Sequence, residues 1–413
     1  MKIFFPLYLV PLLYLQLQMQ ETKLHKNASK ASPDMKNAPI TLSDIEKIRY
    51  SRHLMLPGFG PYAQSLLKRS SVLVVGAGGL GAPTLIYLAA AGVGKITVID
   101  ADTIALSNLQ RQVLFKTQDL GQSKSKISSQ KLADLNPEVE VVAIAERFTV
   151  TNAMNLIKAH DLVIDCTDNF ATRYLINDAC VLCSKPFIYG SIYRFEGQLS
   201  VFNFCKDGEL GPNYRDLFPT PPGADLVTNC ADGGVLGVLP GIIGSMQALE
   251  AIKLLADIGE VLSGKLLLYD ALSASSRIVN IAKEPTNPIS GNRPIITELI
   301  DYESFCNLSE EKADEITATQ LKQWVDEGKD FQIVDVREPY EYTAGNIGGE
   351  SIPLSQFTEL PDNPTIIVVC RSGVRSRAAI SQFAQMGEFV GVYHLRGGLL
   401  SWQEDIDPKL QVI

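Results

Sequence analysis

Two short stretches of this chain carry residue types that chemistry can use. The first is Val72-Leu73-Val74-Val75-Gly76-Ala77-Gly78-Gly79-Leu80-Gly81, a β-branched run ending in glycines, with a helix-like run behind it. Backbone N–H groups at such a turn can meet a phosphate, because glycine has no Cβ to block the approach. Asp100 closes the next apolar run, where a dinucleotide fold carries its ribose-binding carboxylate. The second stretch is Cys370-Arg371-Ser372-Gly373-Val374-Arg375-Ser376, between the apolar run Ile366–Val369 and a helical pattern. A loop from Cys370 to Arg375 can curl so that backbone N–H groups point at the sulfur. The helix N-terminus and the two arginines then favour the thiolate.

The glycine turn alone suits any nucleotide-binding α/β domain. The polar residues beyond it narrow the choice. Asp100 and Asp102 precede Ser107-Asn108-Leu109-Gln110-Arg111-Gln112, then Lys124, then Asp165-Cys166-Thr167-Asp168-Asn169, with Arg173 one turn into the next helix. In a parallel sheet the strand ends that carry these residues converge on one ligand crevice. A nicotinamide-dependent dehydrogenase shares the glycine turn and Asp100 but leaves Ser107–Arg111 and Lys124 unexplained. Arg49 and Arg52, ahead of the first strand, read by themselves as a solvated helix face.

The elements that must position these residues alternate. Strands are expected at Ser71–Val75, Lys95–Asp100, Val139–Ala145, Asp161–Asp165 and Pro186–Ser191, and helices at Leu42–Arg52, Gly81–Ala91, Ser123–Leu135, Ala153–His160 and Ala171–Cys183. A strand at Gly197–Phe204, a long apolar helix at Gly241–Leu255 and strands at Lys265–Ala271 and Arg277–Ala282 complete this part. The pattern is that of a doubly wound, mostly parallel, Rossmann-like α/β sheet covered on both faces. Lys283–Leu308, rich in Pro and Asn, reads as a linker. A second, smaller α/β unit comes after it: helix Ala318–Glu327, strands Phe331–Val336 and Thr365–Cys370, helix Ser376–Met386 and strand Val390–Leu395.

Composition sets the outer bounds. With 413 residues, two or three domains are expected, and a net charge of −9 gives no reason to expect nucleic acid or an anionic membrane as partner. Seven irregularly spaced cysteines fit a reducing, cytoplasmic compartment. Met1–Leu17 is apolar like a signal sequence. However, it is interrupted by Pro6 and Pro11, is shorter than a spanning helix and has no cleavage site behind it. Residues 1–40 are expected to be disordered or, if translation starts at Met19 or Met35, partly untranslated, with no stable membrane insertion.

The set Arg49-Tyr50-Ser51-Arg52, Gly76-x-Gly78-Gly79-Leu80-Gly81, Asp100-x-Asp102 with Ser107-Asn108-Leu109-x-Arg111-Gln112, and Cys166-Thr167-Asp168-Asn169 resembles the ThiF/MoeB/HesA family of ubiquitin-activating-like adenylyltransferases. The resemblance covers about Leu42 to Lys283. It implies ATP-dependent adenylylation of the C-terminal Gly-Gly carboxylate of a ubiquitin-like sulfur-carrier protein. Gly76, Gly78, Gly79, Gly81, Asp100, Asp102, Ser107, Asn108 and Asn169 would then line the nucleotide site. Asn108, Arg111 and Lys124 would meet the triphosphate, Asp168 would hold the magnesium that travels with ATP, and Arg52 would reach the neighbouring subunit's site in a homodimer. Asp102 and Arg173 could equally be supports of the fold. A non-catalytic, partner-binding homologue would lack reason to keep the whole set.

The same resemblance bears on the cysteines. It implies that Cys230, in a glycine-rich loop, can attack the acyl-adenylate, although an incidental loop thiol fits the residues as well. The family often binds zinc through two Cys-x-x-Cys pairs. Asn213 and Asp216 stand at the first, and Asn287–Arg293 holds no cysteine at the second, so no zinc site is expected. Cys180-x-x-Cys183 lies in an expected helix and reads as core packing.

Around the second stretch, Val334-Asp335-Val336-Arg337-Glu338 and Leu395-Arg396-Gly397-Gly398-Leu399-x-x-Trp402 make the chain from Glu315 to Ile413 resemble a rhodanese domain. Cys370 is then the persulfide carrier, loaded by a donor such as a cysteine desulfurase. Asn346 stands where the family usually has His, a structural position. A phosphatase loop, Cys-x5-Arg, also fits Cys370 and Arg375, but not the fusion to an adenylyltransferase. The expected division is an extension 1–40, an adenylyltransferase domain 41–283, a linker 284–314 and a rhodanese domain 315–413. The expected product is a carrier thiocarboxylate, on a carrier of the molybdopterin-synthase small-subunit type or of the thiamine or tRNA-thiolation pathways.

Overall fold

The β-branched runs Val72–Val75 and Ile366–Val369 become strands buried on both faces. A computed structural model describes residues 41–412 apart from 207, 222–233, 307–313, 358, 360, 362 and 385–390. In its first part, β1 (Ser71–Val75), β2 (Lys95–Ile99), β3 (Glu140–Ile144), β4 (Leu162–Asp165) and β5 (Phe187–Tyr193) are parallel. β6 (Glu196–Phe202) then reverses, β7 (Cys205–Lys206) and β8 (Glu209–Leu210) form a small separate hairpin, and β9 (Lys265–Asp270) and β10 (Ser275–Asn280) extend the sheet antiparallel. The order across the sheet is β10-β9-β6-β5-β4-β1-β2-β3.

Successive side chains of a strand point to opposite faces, and β1 shows how both are filled. Val72 and Val74 pack with Leu85, Leu88, Leu239 and Ile243 on one side. Leu73 and Val75 pack with Ile157, Leu175 and Ile176 on the other. The helix Leu239–Ala256 is long and apolar enough to cross a membrane, yet it packs here on β5, β6 and the helix Gly81–Ala91.

The order of the strands reverses between β1 and β4, and that is where an open α/β sheet leaves a crevice at its carboxyl end. Gly76 has φ +97°, and a Cβ there would stand 2.7 Å from the carbonyl oxygen of Cys166 at the end of β4. Gly81 opens the next helix so close to the turn that its Cβ would lie 2.1 Å from the Gly76 carbonyl oxygen. These two glycines let the turn close over the crevice.

The second part is a five-stranded parallel sheet of β11 (Asp314–Ile316), β12 (Gln332–Asp335), β13 (Glu350–Ser351), β14 (Ile366–Val369) and β15 (Val392–Leu395), in the order β11-β15-β14-β12-β13. Contacts make Leu42–Ile413 one compact unit.

Several elements differ from expectation. The expected helix Leu42–Arg52 is two, Asp44–Arg49 and Ser51–Leu54, the first started by a Ser43–Glu46 capping box. A helix at Gly60–Arg69 was hidden behind the Pro57–Gly60 turn. Its Pro61 sits in the first turn, where no N–H is needed, and it buries Ala63 and Leu67. Helices Pro339–Ala344 and Gly398–Asp405 were also unforeseen. Parts of the stretch read as a linker are docked. Ile289 and Tyr302 are buried, and the helix Tyr302–Cys306 packs on the helix Phe170–Leu182. There the Tyr302 hydroxyl donates to Asp178 Oδ2 at 2.8 Å, beside the bidentate Arg215–Asp178 pair at 2.7 and 2.8 Å.

Candidate functional site

The crevice opens into a cavity of about 830 Å³. Gly76, Gly78 and Gly79, Asp100 and Asp102, Asn108, Arg111, Lys124, Asp168, Asn169 and Arg173 all line it. Residues spread over nearly a hundred positions meet there because most lie just past the carboxyl end of a parallel strand or in the first turn of the helix behind it, while Asn108 and Arg111 come from the long connection between Ile99 and Lys124.

Asp100 is tied to the glycine turn. Its Oδ2 accepts the Ala77 N–H at 2.7 Å and its Oδ1 the Asp102 N–H at 2.8 Å. Burial pushes its carboxyl above the ordinary value, against the pull of those two N–H groups. Lys124 is buried at the start of its helix, with Nζ donating to Asp102 Oδ2 at 2.8 Å and its own N–H to the Asp102 carbonyl at 3.0 Å. Asp102 therefore holds the lysine at the cavity wall. Arg111 is steadied by the Ser107 carbonyl at 3.0 Å, and the Asn108 side chain accepts the Ala105 N–H at 3.1 Å. Ser107 thus acts through its carbonyl behind the wall.

On the opposite side, Asp168 is exposed to the cavity, and Asn169 Oδ1 caps the next helix by accepting the Thr172 N–H at 2.9 Å. A carboxylate on a polar, open wall suits a hard divalent cation, so the donor present at Asp168 fits magnesium. The cavity thus carries Arg111 and Lys124 on one flank and Asp168 on the other, around the glycine turn.

Arg52 is exposed on the short helix Ser51–Leu54, away from the residues lining the cavity. Cys230 lies outside the described residues. Cys180 is fully buried and Cys183 half-buried, both free thiols in and after the helix Phe170–Leu182. Asn213, Asp216, Asn287 and Ser290 form a buried hydrogen-bonded cluster: Asn213 Nδ2 to Ser290 Oγ at 2.7 Å, and Asn287 Nδ2 to Asp216 Oδ1 at 2.7 Å and to Asn213 Oδ1 at 3.3 Å. No group of three or more His, Cys, Asp or Glu placed to hold a metal occurs among the described residues.

Other parts of the wall escape a reading of the sequence. Arg147 and Phe148 lie beyond the end of β3, in a stretch that carries no motif, although its position after a parallel strand is the signal that could have found them. Glu303, Cys306, Val374, Arg377 and Ala378 also line the cavity, the last three from the helix Val374–Ala384 behind Cys370. No local signal could have placed them there.

Cys370 itself is buried at the end of β14, and its Sγ accepts the Gly373 N–H at 3.1 Å. Arg375 differs from expectation. Both its terminal nitrogens bind Glu341, at 2.7 and 2.8 Å, so its charge is matched by a carboxylate. Arg337 is likewise bidentate to Asp335 and donates to the Gly345 carbonyl at 2.7 Å. Gly398, with φ +63°, lets the helix it opens approach, because a Cβ would stand 2.5 Å from the Cys370 and Arg371 carbonyl oxygens.

The ThiF family model matches residues 50–289, and the model of the rhodanese-like domain matches residues 317–405. A Mycobacterium tuberculosis protein named "Probable adenylyltransferase/sulfurtransferase MoeZ" is 44% identical over 395 residues, covering 92% of this chain and 99% of that one. The "Adenylyltransferase and sulfurtransferase MOCS3" of Drosophila grimshawi is 38% identical over 418 residues, covering 96% and 92%. A "Sulfur carrier protein adenylyltransferase" of Thermus thermophilus is 51% identical over 261 residues, covering 63% and 96%. The crystal structure of E. coli MccB shares the fold, with TM-score 0.53 and 24% identity over 61% of this chain and 75% of that one.

Proposed function

The chain belongs to the ThiF family and ends in a rhodanese-like domain, and from that premise we propose that it activates and then sulfurates the C terminus of a ubiquitin-like sulfur carrier. In the first step an oxygen of the carrier's terminal glycine carboxylate attacks the α-phosphorus of ATP. The bond to the bridging oxygen breaks, and pyrophosphate leaves with that electron pair. The attacking carboxylate and the triphosphate are both anionic, so cations must offset the charge that develops at phosphorus. Arg111 and Lys124 supply them, Asp100 takes the ribose, and the glycine turn admits the phosphates. Asp168 would hold magnesium, which neutralises phosphate charge when bound.

In the second step the terminal sulfur of a Cys370 persulfide attacks the acyl carbon and AMP leaves, giving an acyl disulfide. A thiol then cleaves the S–S bond, releasing the thiocarboxylate and forming a mixed disulfide. Cys230 is the alternative nucleophile toward the acyl-adenylate, displacing AMP to give a thioester. The observation that carries the reading is the convergence of Asp100, Asn108, Arg111, Lys124 and Asp168 on one cavity that the helix behind Cys370 also lines.

We further propose a carrier of the molybdopterin-synthase small-subunit type, a cysteine desulfurase as persulfide donor, a cytoplasmic homodimer completed by Arg52, and no structural zinc. Purified protein with ATP, magnesium and a Gly-Gly-ending carrier should catalyse carrier-dependent exchange of pyrophosphate into ATP. A panel of carriers from the molybdopterin, thiamine and tRNA-thiolation pathways identifies the preferred one. Absence of exchange with all of them would overturn the proposal.

A further inference from the structure

The loop that presents Asp168 is held on both sides of that residue by hydrogen bonds to Asp165, Cys166, Thr167 and Asn169. The Asp165 carbonyl accepts the Gln247 side-chain N–H at 2.7 Å, and the Cys166 N–H donates to the Val75 carbonyl at 2.9 Å. Thr167 is gripped from both sides. Its N–H and its hydroxyl both donate to Asp165 Oδ1, at 2.9 and 2.6 Å, while its carbonyl accepts Arg173 Nη2 at 3.2 Å. Asn169 is fixed as the cap of the helix Phe170–Leu182.

Arg173 and Asp165 are themselves a pair, with Nε 3.4 Å from Oδ2 and both side chains buried. The distance and poor alignment leave those two atoms without a regular hydrogen bond. The guanidinium lies over the Tyr189 ring at 5.0 Å and the Phe170 ring at 5.5 Å, which fixes its plane. A buried ion pair is a weak device for stability alone, since apolar residues of the same volume do as well or better. This pair also does something a packed apolar pair could not, because it satisfies the donors and the acceptor of the residue immediately before Asp168.

We propose that Asp165 and Arg173 clamp Thr167 and thereby set the position of the Asp168 carboxylate, making Arg173 a positioning residue for the divalent cation that enters with ATP. The inference rests on the reading of Asp168 as that cation's ligand. Ligand orientation by a hydrogen-bonded outer layer is a general requirement of metal sites.

The test uses the full-length protein and a fluorescent, non-hydrolysable ATP analogue, titrated with magnesium from zero upward. Thr167→Val removes only the hydroxyl bond and keeps the ion pair, so it tests the clamp even if Arg173→Met folds poorly. Both variants are expected to need about ten-fold more magnesium for half-maximal binding, a larger loss than any they show in EDTA. Arg173→Lys should recover part of the loss. Combining Thr167→Val with Asp168→Asn should add nothing to Asp168→Asn alone. Equal losses with and without magnesium, or a fall in thermal midpoint with no magnesium shift, would overturn the clamp. A different result marks failure of the Asp168 reading: magnesium dependence unchanged in Asp168→Asn itself, which removes the clamp's purpose as well.

Discussion

Arg375 places both terminal nitrogens on the Glu341 carboxylate, at 2.7 and 2.8 Å, across thirty-four positions of sequence and inside the second domain. The loop that begins at Cys370 is thus anchored at its far end by a charge-matched pair. Burial alone would raise the Glu341 carboxyl, but the bonds from Arg375 and the Glu338 N–H outweigh it and leave it below its ordinary value of 4.5. The folded domain therefore gives up this proton more readily than the unfolded chain. Above 4.5 the pair contributes its full stability, and as pH falls through the lower folded value that contribution is lost. Thermal unfolding of Glu341→Gln should show a lower midpoint at pH 7 and a smaller decline than wild type on acidification below 4.5. An acid profile parallel to wild type would contradict the assignment.

Cys370→Ala should leave carrier-dependent pyrophosphate exchange within about two-fold, since the exchange uses the first domain's machinery, yet abolish thiocarboxylate formation from a persulfide donor. Mass spectrometry of the carrier reads the second effect. Loss of exchange in this variant would show that the division of labour between the two domains is wrong.

Lys124 is buried against Asp102 at the cavity wall, where under the proposed function its charge would meet ATP in a partly desolvated site. Lys124→Met should lower the exchange rate by about 100-fold or more, the usual cost of removing one preorganised electrostatic group from a transition state. The reduction should fall mainly on kcat. An effect confined to KM would mean that the lysine binds ground-state ATP only.

Gly76→Ala combines a strained φ of +97° with a Cβ 2.7 Å from a backbone oxygen, whereas Gly58 has a similar φ of +81° and open space. Strain alone costs about 1–3 kcal/mol, so Gly58→Ala measures that part. Gly76→Ala should lose more stability and should also weaken ATP binding, because Ala77 and its bond to Asp100 must shift. Equal unfolding free energies for the two variants would refute the steric account.

Elemental analysis of protein purified without chelator should find well below one zinc per chain, and EDTA should leave the thermal midpoint unchanged. The cluster of Asn213, Asp216, Asn287 and Ser290 offers a hydrogen-bonded clasp in which Asn287 serves two partners. Asn287→Ala should therefore destabilise by about 1–3 kcal/mol, the penalty for leaving buried polar groups unmatched. A full equivalent of zinc would overturn the expectation.

Much of the candidate site is legible in the chain itself. Gly76–Gly81, Asp100, Lys124 and Asp168 stand at strand ends or helix starts, which periodicity reveals without knowledge of the partners, whereas Asn108 and Arg111 lie in a connection and are legible only through their motif. The helix at Gly60–Arg69 is not legible, because its preceding turn residues mask its start. Arg173 is visible as a residue but not as a clamp, since its role depends on where Thr167 and Asp165 turn back toward it.

What the sequence determined by itself is local: which runs are strands, where glycine is required, and which titratable residues lie at the carboxyl ends of parallel strands. Those features arise from steric limits on φ and from the two- and 3.6-residue periods, which act within a few positions. The tertiary structure alone decided that Arg375 turns to Glu341. It alone decided that Tyr302 folds the expected linker onto Asp178, and that Val374 and Arg377 share a cavity with Asp100. Those outcomes depend on which distant groups must be satisfied when water is excluded, and local pattern does not encode that.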